Sequence, residues 1–339
     1  MTPPRRTRSR TASLLVIAVA IVCAACSDDG PAGLDGGATT PGPTSNPAGA
    51  PAELPVPRTE VAGTAWDGRL VVAGGLTADG GASDLVHFWD RAANRWTAGP
   101  PLPVALHHAA MAVLGGRAVV VGGYTNGVGQ TWVAQATVFS LGAGEAAWRS
   151  EVPLPGPRGA AGAAVAGGLL VVAGGEVGGE ALATTSIYDP ATRAWRPGPD
   201  LAHRREHLAS AAAGGRVYAI AGRTAADGNL RRVQSLDPLV DQAWRDEPEL
   251  ADARGGIGAT VSAAGRVCVA GGEEPAGTIA SVECLDAGGW TRVGRLARPR
   301  HGLAVMAMAD GLHVVAGGQR PGLFVSGIHE VVDPADPKG

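Results

Sequence analysis

The chain has 339 residues, of which 45% are hydrophobic and 17% charged, with 52 Gly and 25 Pro. That apolar content suffices for a globular core, while so much Gly and Pro favours many short strands joined by turns over long helices. The formal charge is −3 and Lys338 is the one lysine; a net acidic chain lacks the basic surface of a general nucleic-acid binder, so no nucleic-acid partner is expected.

The first segment in chain order reads as an address. Arg5, Arg6, Arg8 and Arg10 precede an apolar run from Leu14 to Ala25. Twelve residues fall short of the roughly 20 that span a bilayer as a helix, but they fit the apolar region of a signal peptide. The run ends in Ala24-Ala25-Cys26. Small residues ahead of a cysteine resemble a bacterial lipobox, in which the Cys26 thiol would take the lipid. Cys23 departs from the usual Leu of that pattern. Residues 1–25 are therefore read as a lipoprotein signal peptide, and the protein as exported and anchored to the cell envelope, touching membrane through its lipid only. Without that segment, 24 basic and 31 acidic residues leave a net −7. Residues 26–48 are mostly Gly, Pro, Ala, Thr and Ser, with almost nothing to bury, and read as a flexible tether.

From residue 49 a pattern recurs six times. A β-branched run closes on glycine in LVVAGG at Leu70, VVVGG at Val119, LVVAGG at Leu170, VYAIAG at Val217, VCVAGG at Val267 and HVVAGG at His313. The closing residues Gly75, Gly123, Gly175, Gly222, Gly272 and Gly318 are spaced by 48, 52, 47, 50 and 46. Trp96, Trp148, Trp195, Trp244 and Trp290 keep step, each 18 to 25 residues behind a glycine. An apolar-acidic step comes first in four units, at Trp89-Asp90, Tyr188-Asp189, Leu236-Asp237 and Leu285-Asp286; the second unit has Phe139-Ser140. Arg58, Arg158, Arg205, Arg254 and Arg300 stand 17 or 18 residues ahead of the glycines, with Leu106 in that place in the second unit.

These residues resemble the kelch repeat, from Leu54 to Pro334. The resemblance implies an all-β, six-bladed propeller of four-stranded antiparallel blades. Units of 46 to 52 residues have room for four strands of about five residues each, and no blade can bury both faces without neighbours. The propeller is assigned residues 49–335 and a C-terminal tail 336–339. The sixth unit has no trailing Trp. A strand near Gly49 to Leu54 is expected to complete its blade and close the ring; the alternative is a last blade of three strands. The tryptophans are expected between blades.

The arginines are expected at the start of the innermost strands, forming a ring at one mouth of the central channel with His108, His207 and His301. Glu60 and Glu206 lie close by in sequence. Guanidinium groups suit carboxylate or phosphate, so this mouth is the candidate ligand site; the competing role is bracing, with each Arg bonded to blade carbonyls. Spacings typical of metal sites are missing, so neither metal nor cofactor is expected. Cys268 and Cys284 fall on successive strands of the fifth unit, and a cross-strand disulfide is expected.

The resemblance also bears on activity. A copper site like that of galactose oxidase lacks its ligands here, since no Tyr-His step occurs and only Tyr124, Tyr188 and Tyr218 are present. Sialic acid mutarotases share the kelch fold, which leaves a carbohydrate isomerase as one alternative and a purely structural surface module as another. The preferred reading is a binding protein, expected to be a monomer, taking a protein, glycan or anionic small molecule at the mouth.

Overall fold

The computed structural model describes residues 49–128, 131–320 and 323–334. The signal peptide, Cys26, the tether and the C-terminal tail lie outside these residues. The described residues contain strands and turns, no α-helix, and no helix long and apolar enough to cross a membrane.

Each repeat folds into one antiparallel sheet in simple up-and-down order. In the first blade the strands are Ala62–Trp66, Arg69–Ala73, Val86–Asp90 and Arg95–Ala98. Five blades have four strands; the sixth has three, Ala304–Met308, Gly311–Val315 and His329–Val332. The innermost strands of the six blades touch in a closed cycle, with Ala304–Met308 packed against Ala62–Trp66. The fold is thus a six-bladed β-propeller, and the glycine-ended runs are its second strands.

Composition explains the radial order. The inner strands crowd the axis and are rich in Gly and Ala. A Cβ on Gly63 would lie 2.5 Å from the Ala304 Cβ, so this seam between first and last blades needs glycine. The second strands are sandwiched between neighbouring blades, and Leu70, Val71 and Val72 are fully buried. Asp67 and Gly68 both have positive φ in the tight turn between the first two strands, as a two-residue hairpin of the primed type requires. Six separate apolar clusters fill the six joints between blades.

The tryptophans pack in these joints and also pin them. Trp148 Nε1 donates to Pro100 O at 2.9 Å, Trp195 to Val152 O at 3.0 Å, Trp244 to Pro199 O at 3.0 Å and Trp290 to Pro248 O at 2.8 Å. Each indole of one blade therefore holds the chain leaving the blade before it. Trp96 makes the same bond to Ala52 O at 2.8 Å, so the N-terminal segment occupies the place of a preceding blade's outer end. That segment is tied to the sixth blade through Leu54 N–H to Gly327 O at 2.7 Å, the counterpart of Leu102 N–H to Asp84 O in the first. The two ends of the chain close the ring by the joint that every other pair of blades uses.

Cys268 lies directly opposite Cys284 in the fifth blade, and the two are joined by a disulfide. In the sixth blade the register differs by one residue from the sequence reading. Gly317, not Gly318, is the counterpart of Gly75: its N–H binds Arg58 O as Gly75 N–H binds Leu106 O. Ala316 takes the preceding left-handed position, at φ 64°.

Candidate functional site: the mouth of the channel

The five arginines do not line an open mouth. Arg58, Arg205, Arg254 and Arg300 are fully buried and Arg158 nearly so. Each guanidinium turns into its own blade. Arg158 Nη1 donates to Gly174 O and Thr184 O, both at 3.0 Å. Arg58 reaches Gly74 O and Leu85 O, with Nη2 3.0 Å from His87 Nδ1. Arg205 binds Arg232 O at 3.0 Å and the Gln234 side chain. Arg254 binds Gly271 O at 3.1 Å and the Glu283 carboxylate, and Arg300 binds Ala316 O and Glu330, both at 2.9 Å. Burial pulls the Arg58 and Arg205 guanidiniums down to about 10. The physical reason is local. Carbonyls of the glycine turn lie past the strand ladder with no strand N–H to donate to them, the facing Leu85, Thr184 and Arg232 carbonyls accept one turn amide each, and a long forked donor serves both kinds at once.

The residues two places after the arginine position build the mouth. Glu60, His108, Ala160, His207, Gly256 and Gly302 are all left-handed, with φ of 52°, 52°, 51°, 51°, 63° and 61°. They form a collar of backbone hydrogen bonds around the axis. His108 N–H binds Glu60 O, Ala160 N–H binds His108 O, His207 N–H binds Ala160 O, Gly256 N–H binds His207 O and Gly302 N–H binds Gly256 O, over 2.8 to 3.0 Å; Val61 N–H completes the circuit on Gly302 O at 3.3 Å. Two blades place glycine in this strained conformation. Three place Glu or His there, although a side chain costs about 1 kcal/mol or more in this region.

Above the collar, side chains from five blades converge. His108 Nε2 is 3.3 Å from Glu60 Oε2, and His301 Nε2 stands 3.6 Å from both Glu60 Oε1 and Glu273 Oε2. The Glu206 carboxylate contacts His207 Nδ1. Arg223 ties the group together, with Nε 2.8 Å from Glu206 Oε1, Nη1 2.5 Å from Glu273 Oε1 and Nη2 3.2 Å from His207 Nε2. His107 Nδ1 meets His108 Nδ1 at 2.5 Å. Burial, reinforced by neighbouring His207, holds His108 well below the usual imidazole range; burial and Arg223 do the same to His207. Burial pushes the Glu60 carboxyl up, against the pull of His301. The cluster thus sets a carboxyl that resists ionisation beside imidazoles that resist protonation.

Glu60, His108, His207, Arg223, Glu273 and His301 line a cavity of about 380 Å³ whose wall also includes Thr59, Leu76, Gly80, Trp132 and Leu323. Trp132 is 49% exposed and Leu323 44%, and the Trp132 ring centroid lies 4.9 Å from that of His108. His108, His207 and His301 therefore do share one mouth, as expected. Arg223, Glu273 and Trp132 escaped the sequence reading. A signal for the first two exists: they directly follow the closing glycines Gly222 and Gly272, and bridges Glu206–Arg223 and Gly255–Glu273 set that position beside the collar.

Sheet order, closed ring and axial cavity define the protein as a six-bladed β-propeller with one polar mouth. A family model described as the Kelch motif matches residues 157–202, the third unit. Among solved structures, that of YjhT matches with a TM-score of 0.71 at 16% identity, covering 84% of this chain and 97% of that one. Together these findings support a kelch-repeat propeller. At such identity, and with 608 solved chains matching, the likeness speaks for architecture and not for activity. No curated protein matches the sequence.

Proposed function

We propose that the protein is a binding module of the cell envelope that takes the terminal sugar of a glycan at the channel mouth. The observation that carries this reading is the half-exposed Trp132 beside buried histidines and the partly buried Glu60, Glu273 and Arg223. An aromatic face suits the apolar side of a sugar ring, while fixed donors and acceptors suit its hydroxyls. Arg223 is already neutralised by two carboxylates, which favours a hydroxyl-rich ligand over a strong anion. Anchoring at Cys26 rests on the lipobox resemblance and would place the mouth outside the cell membrane.

The test is a glycan array followed by calorimetry on hits. Trp132→Ala and Arg223→Met are expected to weaken binding at least about tenfold with the melting temperature kept. Full binding by both variants, or no glycan bound at all, would count against a sugar at this mouth.

A second reading has one observation in its favour. Glu60 raised and His108 and His207 lowered resemble an acid and base tuned toward each other, as a carbohydrate isomerase needs. Anomer exchange of sialic acid followed by NMR, lost in Glu60→Gln, would support it; no exchange above buffer would remove it.

A further inference from the structure

We infer that Glu60, His108 and His207 form a site for a divalent transition-metal ion, of the zinc, cobalt or iron(II) class, at the channel neck. The three residues come from the first, second and fourth blades, so no spacing in the chain announces them. The fold brings one ligand atom of each within 4.8 Å of the others. They are three of the four collar residues that carry a side chain beyond glycine in a left-handed conformation, the fourth being Ala160. Gly256 and Gly302 hold the same place in the fifth and sixth blades. The collar itself therefore demands no side chain, and where it bears a functional one, that group is a metal-ligand type every time.

The chemistry of the set is consistent. Two imidazoles and one carboxylate are a common donor set for zinc and for iron(II), which leave further positions open. Ligand atoms around a tetrahedral zinc stand roughly 3.3 Å apart, given bonds of about 2.0 to 2.1 Å. His108 Nε2 and Glu60 Oε2 already meet that at 3.3 Å, and the remaining separations need to contract by at most about 1.5 Å. The outer groups fit as well. A proton on His108 Nδ1, donated to His107 Nδ1 at 2.5 Å, leaves a lone pair on Nε2. The Glu206 carboxylate on His207 Nδ1 puts the lone pair on Nε2, which Arg223 Nη2 meets at 3.2 Å and would have to yield to the ion. Such partners fix tautomer and ring orientation in metal sites. Charge points the same way. Glu60, Glu206 and Glu273 face a single guanidinium, Arg223. With neutral imidazoles, and with Glu60 giving up its proton as the ion binds, three negative charges against one positive leave −2, which a dication balances. All three ligands also line the cavity, so open coordination positions would face whatever enters it.

The site goes beyond the binding reading and does not depend on it, since the ion needs no other partner. The test uses the untagged full-length chain, stripped with a chelator and titrated with Zn²⁺ by calorimetry and with Co²⁺ by visible absorption. About one ion per chain is expected, with the cobalt spectrum of a low-coordinate nitrogen and oxygen site. His108→Gly and His207→Gly place in two more blades the residue that Gly256 and Gly302 already show to fit, so the fold is kept; each should weaken binding at least about tenfold. His203→Ala, an exposed histidine outside the mouth, should bind as the parent does. Binding by the glycine variants equal to that of the parent, or no Zn²⁺ and Co²⁺ uptake by the parent, overturns the site.

Discussion

The carbonyl oxygen of Arg58 accepts a hydrogen bond from the amide of Gly317 at 2.9 Å, although the two lie at opposite ends of the propeller sequence. The same bond links Gly123 to Arg158, Gly175 to Arg205, Gly222 to Arg254 and Gly272 to Arg300. Each arginine thus works in two directions. Its backbone holds the glycine turn of the blade before it, and its side chain fills the turn of its own blade. Ring closure adds no special device; it repeats this one.

Replacing one of these arginines should therefore act on stability. Arg205→Met strands the carbonyl of Ala221 and the Gln234 side-chain oxygen in a buried pocket and takes one of two donors from Arg232 O. Each unsatisfied group costs about 1–3 kcal/mol, so a loss of about 3 kcal/mol is expected in urea unfolding. Arg205→Lys should recover little, because an ammonium cannot fork. Unchanged unfolding midpoints in both variants would show that these bonds are dispensable.

Closure makes a second prediction, about the N-terminal segment. Deleting residues 1–48 leaves every described residue of the propeller in place. Deleting residues 1–55 also removes the Leu54 bond to Gly327 and the Ala52 acceptor of Trp96 and His329. The longer deletion should lower the melting temperature by several degrees and the shorter one should not, as read by calorimetry. Trp96→Phe alone, which keeps the packing and loses one hydrogen bond, should cost about 1 kcal/mol.

The blade count and the role of each strand were legible because glycine and Trp mark the same places in every unit. The site was legible only in part. His108, His207 and His301 stand out as rare residues next to the arginine position. Arg223 and Glu273 lie one residue past the glycines, where Leu76, Tyr124 and Glu176 occupy the same place in other blades; a position whose residue changes from blade to blade gives no periodic signal. The arginines misled for the opposite reason. A residue repeated in five units serves what all blades share, the turn, whereas a single mouth is built from what they do not share.

Acid should weaken the fold before it reaches the carboxylate range. Burial lowers His107 and His87 to about 4 and His329 to about 3, and drives His108 and His207 down as well. Unfolded histidines titrate near about 6.5. Between that value and the folded ones the unfolded chain binds more protons, so stability is lost as pH falls from about 6.5 toward 4. Glu60 works in the other direction. Its raised folded value binds a proton before the unfolded carboxyl does, which offsets part of the loss as pH falls. Urea midpoints at pH 7, 6 and 5 should fall in order. Glu60→Gln, which lacks the offsetting group, should fall more steeply; a flat profile would mean that these imidazoles are not held neutral.

The disulfide supplies the last prediction. Cys268 and Cys284 pair across adjacent strands, 16 residues apart, with both sulfurs in the core between the fifth and sixth blades. Linking a loop of about 15 residues restricts the unfolded chain by about 3 kcal/mol. Both cysteines are fully buried, so a reductant can reach them only when the blade opens. Dithiothreitol in native buffer should leave the bond intact over hours, while the same reagent in denaturant should release two thiols per chain, counted by a thiol reagent. The double variant Cys268→Ala with Cys284→Ala should unfold about 3 kcal/mol earlier, with some further loss from the cavity. Fast reduction without denaturant, together with an unshifted midpoint in the double variant, would mean that the fifth blade opens independently and that its edge is held by packing alone.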